Sequence, residues 1–124
     1  MSHERPILKF YVERCYHVYT EEYGNSSIHT HISIDNIGDR SSSVKEVKLI
    51  KMTPEEYMEK IDTRFDDVRN PIHVPPRSSI KFNWLINFPN FLLKDDEVKL
   101  EFDIIHTHNK KRMEATSKLL RHKK

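Results

Sequence analysis

A chain of 124 residues, 36% hydrophobic and 32% charged, is long enough for one buried core. Its apolar residues gather in strand-like runs, which excludes a disordered chain. One cysteine, Cys15, excludes an intrachain disulfide, and 21 basic against 19 acidic residues mixed along the chain exclude a nucleic-acid-binding field.

The N-terminus leads into a short apolar segment broken by Lys9, Glu13 and Arg14, and no run reaches the ~18 apolar residues of a membrane span. A cytoplasmic domain is expected, without signal peptide or membrane anchor. Residues 1–124 read as a single domain with its core over 7–119 and a basic tail at 120–124.

In the first strand Leu8, Phe10, Val12, Tyr16 and Val18 share one face, with Lys9, Tyr11, Glu13, Cys15 and His17 opposite. Arg14 interrupts the apolar face, as a β-bulge would. Gly24 and Asn25 supply turn chemistry. In the second strand Ile28, Thr30, Ile32 and Ile34 alternate with His29, His31, Ser33 and Asp35, the pattern of a half-buried strand. Val44 to Met52 forms a third strand with Val47 and Leu49 inward, although Val44 and Ile50 fall out of phase.

The period then changes. Thr53-Pro54-Glu55-Glu56 has capping-box spacing with proline at the first helical position, and Tyr57, Ile61, Phe65 and Val68 make one apolar stripe. These features predict a short inserted helix over about 54–69. Next comes a long aromatic strand, Ile80, Phe82, Trp84, Ile86 and Phe88 on one face, and then a strand with Val98, Leu100, Phe102 and Ile104 inward. A tight turn at His108-Asn109-Lys110 leads into a last strand, 111–119, carrying Met113, Ala115 and Leu119. The fold class is all-β: a two-sheet, immunoglobulin-like antiparallel sandwich of six or seven strands with one inserted helix.

The phrase from Ile32 to Arg40, ending Asp35-Asn36-Ile37-Gly38-Asp39-Arg40, resembles the corner between the second and third strands of immunoglobulin-like domains of prokaryotic proteins. His73-Val74-Pro75-Pro76-Arg77-Ser78-Ser79-Ile80 and the final hairpin are similar to the later strands of that superfold. The resemblance implies the sandwich fold and no particular activity, since such superfolds host many functions. It departs from antibody domains in lacking their cysteine pair.

Chemistry-bearing residues are few. His29/His31 and His106/His108 are His-x-His pairs, each expected to share a strand face, a spacing that can chelate zinc, copper or nickel. No carboxylate or cysteine stands at a completing distance in sequence, so the histidines are expected to be solvent-exposed and strand-end residues with no bound metal, and His29, His31, His106 and His108 are the candidates should one bind. Cys15 and Ser41, Ser42 and Ser43 lack the surroundings of a nucleophile, and two isolated glycines make no phosphate loop. No catalytic residue and no cofactor are expected.

Tyr11 and Tyr19, placed on the face opposite the apolar row of the first strand, are the candidates for partner binding. A protein partner or a second copy could pair with an edge strand, and nucleic acid is not expected. The leading expectation is a non-enzymatic interaction or accessory module. The alternative is a metal- or small-ligand-binding protein using the histidines.

Overall fold

The structure, a computed structural model, describes residues 6–62 and 71–120. These form seven strands: β1 (Leu8–Thr20), β2 (Asn25–Asn36), β3 (Ser42–Thr53), β4 (Ile72–Val74), β5 (Ser78–Phe88), β6 (Glu97–His106) and β7 (Lys110–Leu119). They pair in the order β4-β3-β6-β7-β1-β2-β5. The ladder folds over on itself, so that Trp84 of β5 meets Phe102 of β6 with ring centroids 4.8 Å apart although the two strands are not neighbours. One layer is β5-β2-β1 and the other β7-β6-β3-β4. The all-β sandwich is thus as expected, with β4 as the strand the sequence did not announce: three residues between prolines are too short to show a period. No helix among the described residues is long and apolar enough to cross a membrane.

Alternation explains the core. Ile28, Ile32 and Ile34 of β2, Trp84, Ile86 and Phe88 of β5, and Val98, Leu100, Phe102 and Ile104 of β6 are all buried, each at the spacing of two that points side chains to one face. β3 is less regular. Its pairing with β6 shifts between Val44 and Glu46 and again between Leu49 and Lys51. Each irregularity inverts the phase, so Val44, Val47 and Met52 are all buried despite their mixed parity.

The inserted helix is shorter than the apolar stripe predicts. A 3-10 helix spans Glu55–Lys60, Thr53 still belongs to β3, and Pro54 occupies the cap with no side-chain capping bond. The capping box therefore does not form, because Thr53 is held in the β3–β6 ladder opposite Lys99. Tyr57 faces inward, packs on Phe91 at 5.5 Å and donates its hydroxyl proton to the Asp95 carboxylate. Burial, with that hydrogen bond to Asp95 second, pushes the Tyr57 phenol up to about 12. Phe65 and Val68, which would continue the stripe, lie outside the described residues, as do residues 121–124 of the basic tail.

Only one contact makes the sheet mixed. β1 and β7 run parallel and register over Tyr16↔Lys118 and His17↔Leu119 alone. His17 closes this seam from within. Its side chain is fully buried, with Nδ1 2.6 Å from Ser117 Oγ and Nε2 2.6 Å from the Asp95 carbonyl oxygen. A carbonyl can only accept, so Nε2 carries the proton and Nδ1 accepts from the Ser117 hydroxyl. The backbone repeats the tie, Leu120 N–H donating to His17 C=O at 2.9 Å and Leu119 N–H to Asp96 C=O at 2.9 Å.

Burial lowers the His17 pKa, against smaller opposing effects of the Asp95 carbonyl and the Asp95 and Asp96 charges. The unfolded chain therefore takes up a proton that the folded chain resists. This contribution to stability is complete above the ordinary imidazole value of about 6.5 and is lost as pH falls through the folded value. Replacing His17 by Ala leaves a cavity, a buried hydroxyl and a buried carbonyl unpaired, and is expected to cost about 2–4 kcal/mol in denaturant unfolding. In His17→Gln the loss of stability between about pH 7.5 and pH 5.5 should be smaller than in the parent. An unchanged pH profile would show that His17 is not the titrating group.

Candidate metal-binding face

The geometry of the candidate site follows from one irregularity in β1. Pairing with β2 runs Val12↔Ile32 and then Arg14↔His31, leaving Glu13 as an extra residue. Such a bulge inverts the facing of everything beyond it. Cys15 and His17 consequently stand opposite the buried Thr30 and Ile28, on the inner face, whereas Tyr16 stands opposite His29 on the outer face. This corrects the expectation that Tyr16 and Val18 continue the apolar row and that Cys15 and His17 face outward. Arg14 marks the interruption in the sequence, and the extra residue before it inverts the facing of the rest of the strand.

The bulge also separates the two candidate partner-binding tyrosines. Tyr11 lies before it, opposite Ser33, and is exposed, while Tyr19 lies beyond it, opposite the buried Ser26, with the Lys94 ammonium 5.5 Å from its ring. They occupy different faces and form no common surface.

His29 and His31 are brought together as expected, side by side on the outer face of β2. Both imidazoles stack on Tyr16, His29 at 4.9 Å with an interplanar angle of 8° and His31 at 5.8 Å and 21°. The Arg14 guanidinium lies 4.4 Å from the centre of the Tyr16 ring. His29 Nε2 is 3.0 Å from Ser27 Oγ, and Asn83 Nδ2 approaches His29 Nδ1 at 3.4 Å. His31 Nε2 is buried and has no hydrogen-bond partner. A buried polar atom left in this condition costs about 1–3 kcal/mol, which a ligand recovers. His31 also lines an open cavity of about 470 Å³ with Glu13, Arg14, Lys81 and Asn83.

The second pair does not assemble. β6 ends at His106, whose ring faces inward beside Phe10 at 5.6 Å, while His108 is exposed in the turn that follows. The expectation that both continue one inward phase fails because the strand stops between them. Burial, then the neighbouring charge of His108, lowers the His106 pKa, and its Nδ1 has no partner.

Among the described residues, no three His, Cys, Asp or Glu side chains gather closely enough to hold an ion by themselves. The basic run at the start of β7 is partly neutralised, since Arg112 donates to Asp103 at 2.6 Å and to Glu101 at 2.9 Å. Around the start of β6, the Asp95 carboxylate accepts from the Tyr57 hydroxyl, and Glu97 pairs with Lys118 at 2.8 Å.

No protein-family model matches this sequence, and neither does any curated protein. Solved structures do match the fold. The apo PCuAC domain from PmoF1 superposes with a TM-score of 0.53 at 17% identity, covering 95% of this chain and 100% of that one. The copper-bound PCuAC domain from PmoF2 gives 0.51 at 14%, over 96% and 100%. The apo form of the PmoF2 domain gives 0.52 at 10%, over 94% of each. At these identities the likeness concerns the fold. It nonetheless overturns the leading expectation of an interaction or accessory module without a ligand, because a domain of this architecture is known with copper bound. Of the two expectations, the metal- or small-ligand-binding alternative agrees better with that likeness.

Cys15 takes no part in this face. Its thiol lies 3.4 Å from Thr30 Oγ1 on the inner side, and burial raises its pKa, only partly offset by the Thr30 and Ser117 hydroxyls. A protonated, half-buried thiol is a poor nucleophile. Modification by a disulfide reagent at neutral pH is expected to be slow in the native protein and fast after unfolding. Rapid reaction of the folded protein would contradict this placement.

Proposed function

We propose that this domain binds a copper ion on the outer face of β1 and β2, with His29 and His31 as its protein donors. The carrying observation is the pair of parallel imidazoles fixed against Tyr16, one of them with a buried nitrogen that no protein group satisfies. Residues two apart on a strand lie roughly 6.5–7 Å apart at the backbone. Metal–nitrogen bonds of about 2.0–2.1 Å need the donor atoms within about 4 Å of each other, so the rings must swing toward one another on binding. In that arrangement the pair would supply two nitrogen ligands to one ion.

Imidazole suits copper, zinc and nickel, and divalent copper heads the order of affinities for a given nitrogen site. The copper-bound PmoF2 domain supports the same choice for this architecture. With two protein donors, further positions remain for water or an incoming ligand. That differs from a closed structural site of four protein ligands and suits an ion that is carried and released. The domain is a binding protein in this reading, with the ion as its ligand.

Titration of untagged protein with buffered Cu(II) is expected to show one ion per chain. His29→Ala and His31→Ala should each weaken binding by more than the roughly 10–100-fold cost of an outer-shell change, and His106→Ala should not. Uptake that persists unchanged in the His29/His31 double variant would contradict the assignment.

A further inference from the structure

The outer face of the β1-β2-β5 layer carries a second chemistry, one that needs no metal. Register sets it out. Arg14 of β1 stands opposite His31 of β2, and His31 opposite Asn83 of β5, so the three form one cross-strand row. Neighbouring strands lie about 4.8 Å apart, which places Arg14 and Asn83 about 10 Å from each other at the backbone with His31 between them. Lys81, two residues before Asn83, shares its face one row away. All four line the open cavity of about 470 Å³, together with Glu13.

Charge at this cavity is not balanced. Arg77 and Arg112 are each paired with a carboxylate, at 2.6 Å in both cases. Arg14 differs from them: its guanidinium lies 4.4 Å from the centre of the Tyr16 ring, and among the described residues its N–H donors meet no acceptor. Lys81 has no ion pair or hydrogen bond among the described residues either. Glu13 accepts from the Ser33 hydroxyl at 2.6 Å and pairs with neither cation. Two cations against one carboxylate leave an excess of positive charge, and a cleft with such an excess concentrates anions.

We infer that this cavity binds a phosphate group, free or carried by a small ester, through Arg14, Lys81 and Asn83 beside His31. None of these three donors is a copper ligand in the reading above, so phosphate binding goes beyond that reading and is independent of it. Donor geometry selects the anion. Arg14 supplies planar, forked N–H groups from one side of His31, and Lys81 an ammonium and Asn83 an amide N–H from the other. Donors converging from two sides suit a tetrahedral oxyanion, whose oxygens point in several directions, better than a carboxylate, whose two oxygens lie in one plane. The Asn83 amide is available because its contact with His29 Nδ1, at 3.4 Å, is long and uses one of two hydrogens. The cavity volume exceeds that of a bare phosphate ion and lies at the lower end of small-molecule sites, which leaves room for an ester substituent.

Metal-free, isotopically labelled protein is titrated at neutral pH with inorganic phosphate and, separately, with glycerol 3-phosphate, the ionic strength being held constant with sodium chloride. The amide signals of Arg14, His31, Lys81 and Asn83 should move saturably, with a dissociation constant on the order of a millimolar. Saturation by one ligand alone assigns the site to that form of phosphate. The double variant Arg14→Gln/Lys81→Gln, which keeps both histidines, should bind at least about tenfold more weakly, as the loss of two charge-assisted hydrogen bonds requires. Lys110→Gln/Lys111→Gln removes the same charge from the start of β7 and should leave binding unchanged. Folding of both variants is confirmed by their unfolding transitions. If neither ligand saturates, or if binding weakens equally in the two double variants, the response is general charge attraction and the phosphate site is overturned, while the copper assignment stands. A failure of copper to bind overturns that assignment alone.

Discussion

The sandwich hangs on the seam between β1 and β7, where two layers that otherwise share no hydrogen-bonded edge are joined through two registered residue pairs. So short a ladder supplies few backbone bonds, and the buried His17 ring extends it by tying β1 to Ser117 of β7 and to the Asp95 carbonyl ahead of β6. A neutral imidazole is well suited to the task because it offers one donor and one acceptor on opposite sides of a rigid ring. Here both are used. The layers then close over an aromatic contact, Trp84 on Phe102, and the buried aliphatic rows of β2 and β6.

That arrangement requires His17 to face inward, and the Glu13 bulge is what turns it there. The same inversion sends Tyr16 outward, where it stacks on both imidazoles of β2. Stability and the candidate site are therefore consequences of a single extra residue. Without it, Tyr16 would point into the core and His17 to solvent, the seam would lose its tie, and His29 and His31 would lose the ring that orders them. Fold and ligand chemistry are coupled in β1, not in the inserted 3-10 helix.

Much of the fold was legible from alternation alone. β2, β5 and β6 keep strict period two, and their inward residues are those the pattern names. Where strands carry bulges, parity fails as a guide: Val44, Val47 and Met52 are buried together although no single phase contains them, and the facing of β1 beyond Arg14 was inverted. The His29/His31 pair was readable because both residues precede any irregularity in β2. Tyr16 was not readable as its companion, since that depends on where the bulge falls and on cross-strand register. That Arg14 and Lys81 both reach the cavity beside His31 was equally hidden, because they stand 67 positions apart in the chain and the β1-β2-β5 layer brings them together. The two-turn 3-10 helix over Glu55–Lys60 could not be seen in the apolar stripe, whose spacing is that of an α-helix and which runs on beyond the described residues.

The most direct test is paramagnetic line broadening in the amide spectrum of the isotopically labelled protein as Cu(II) is added below one equivalent. Divalent copper is expected to broaden first the signals of Arg14, Tyr16, His29, His31 and Asn83, leaving those of Met52 and Leu100 in the opposite layer sharp. Broadening that begins at His106 and His108 would contradict the account.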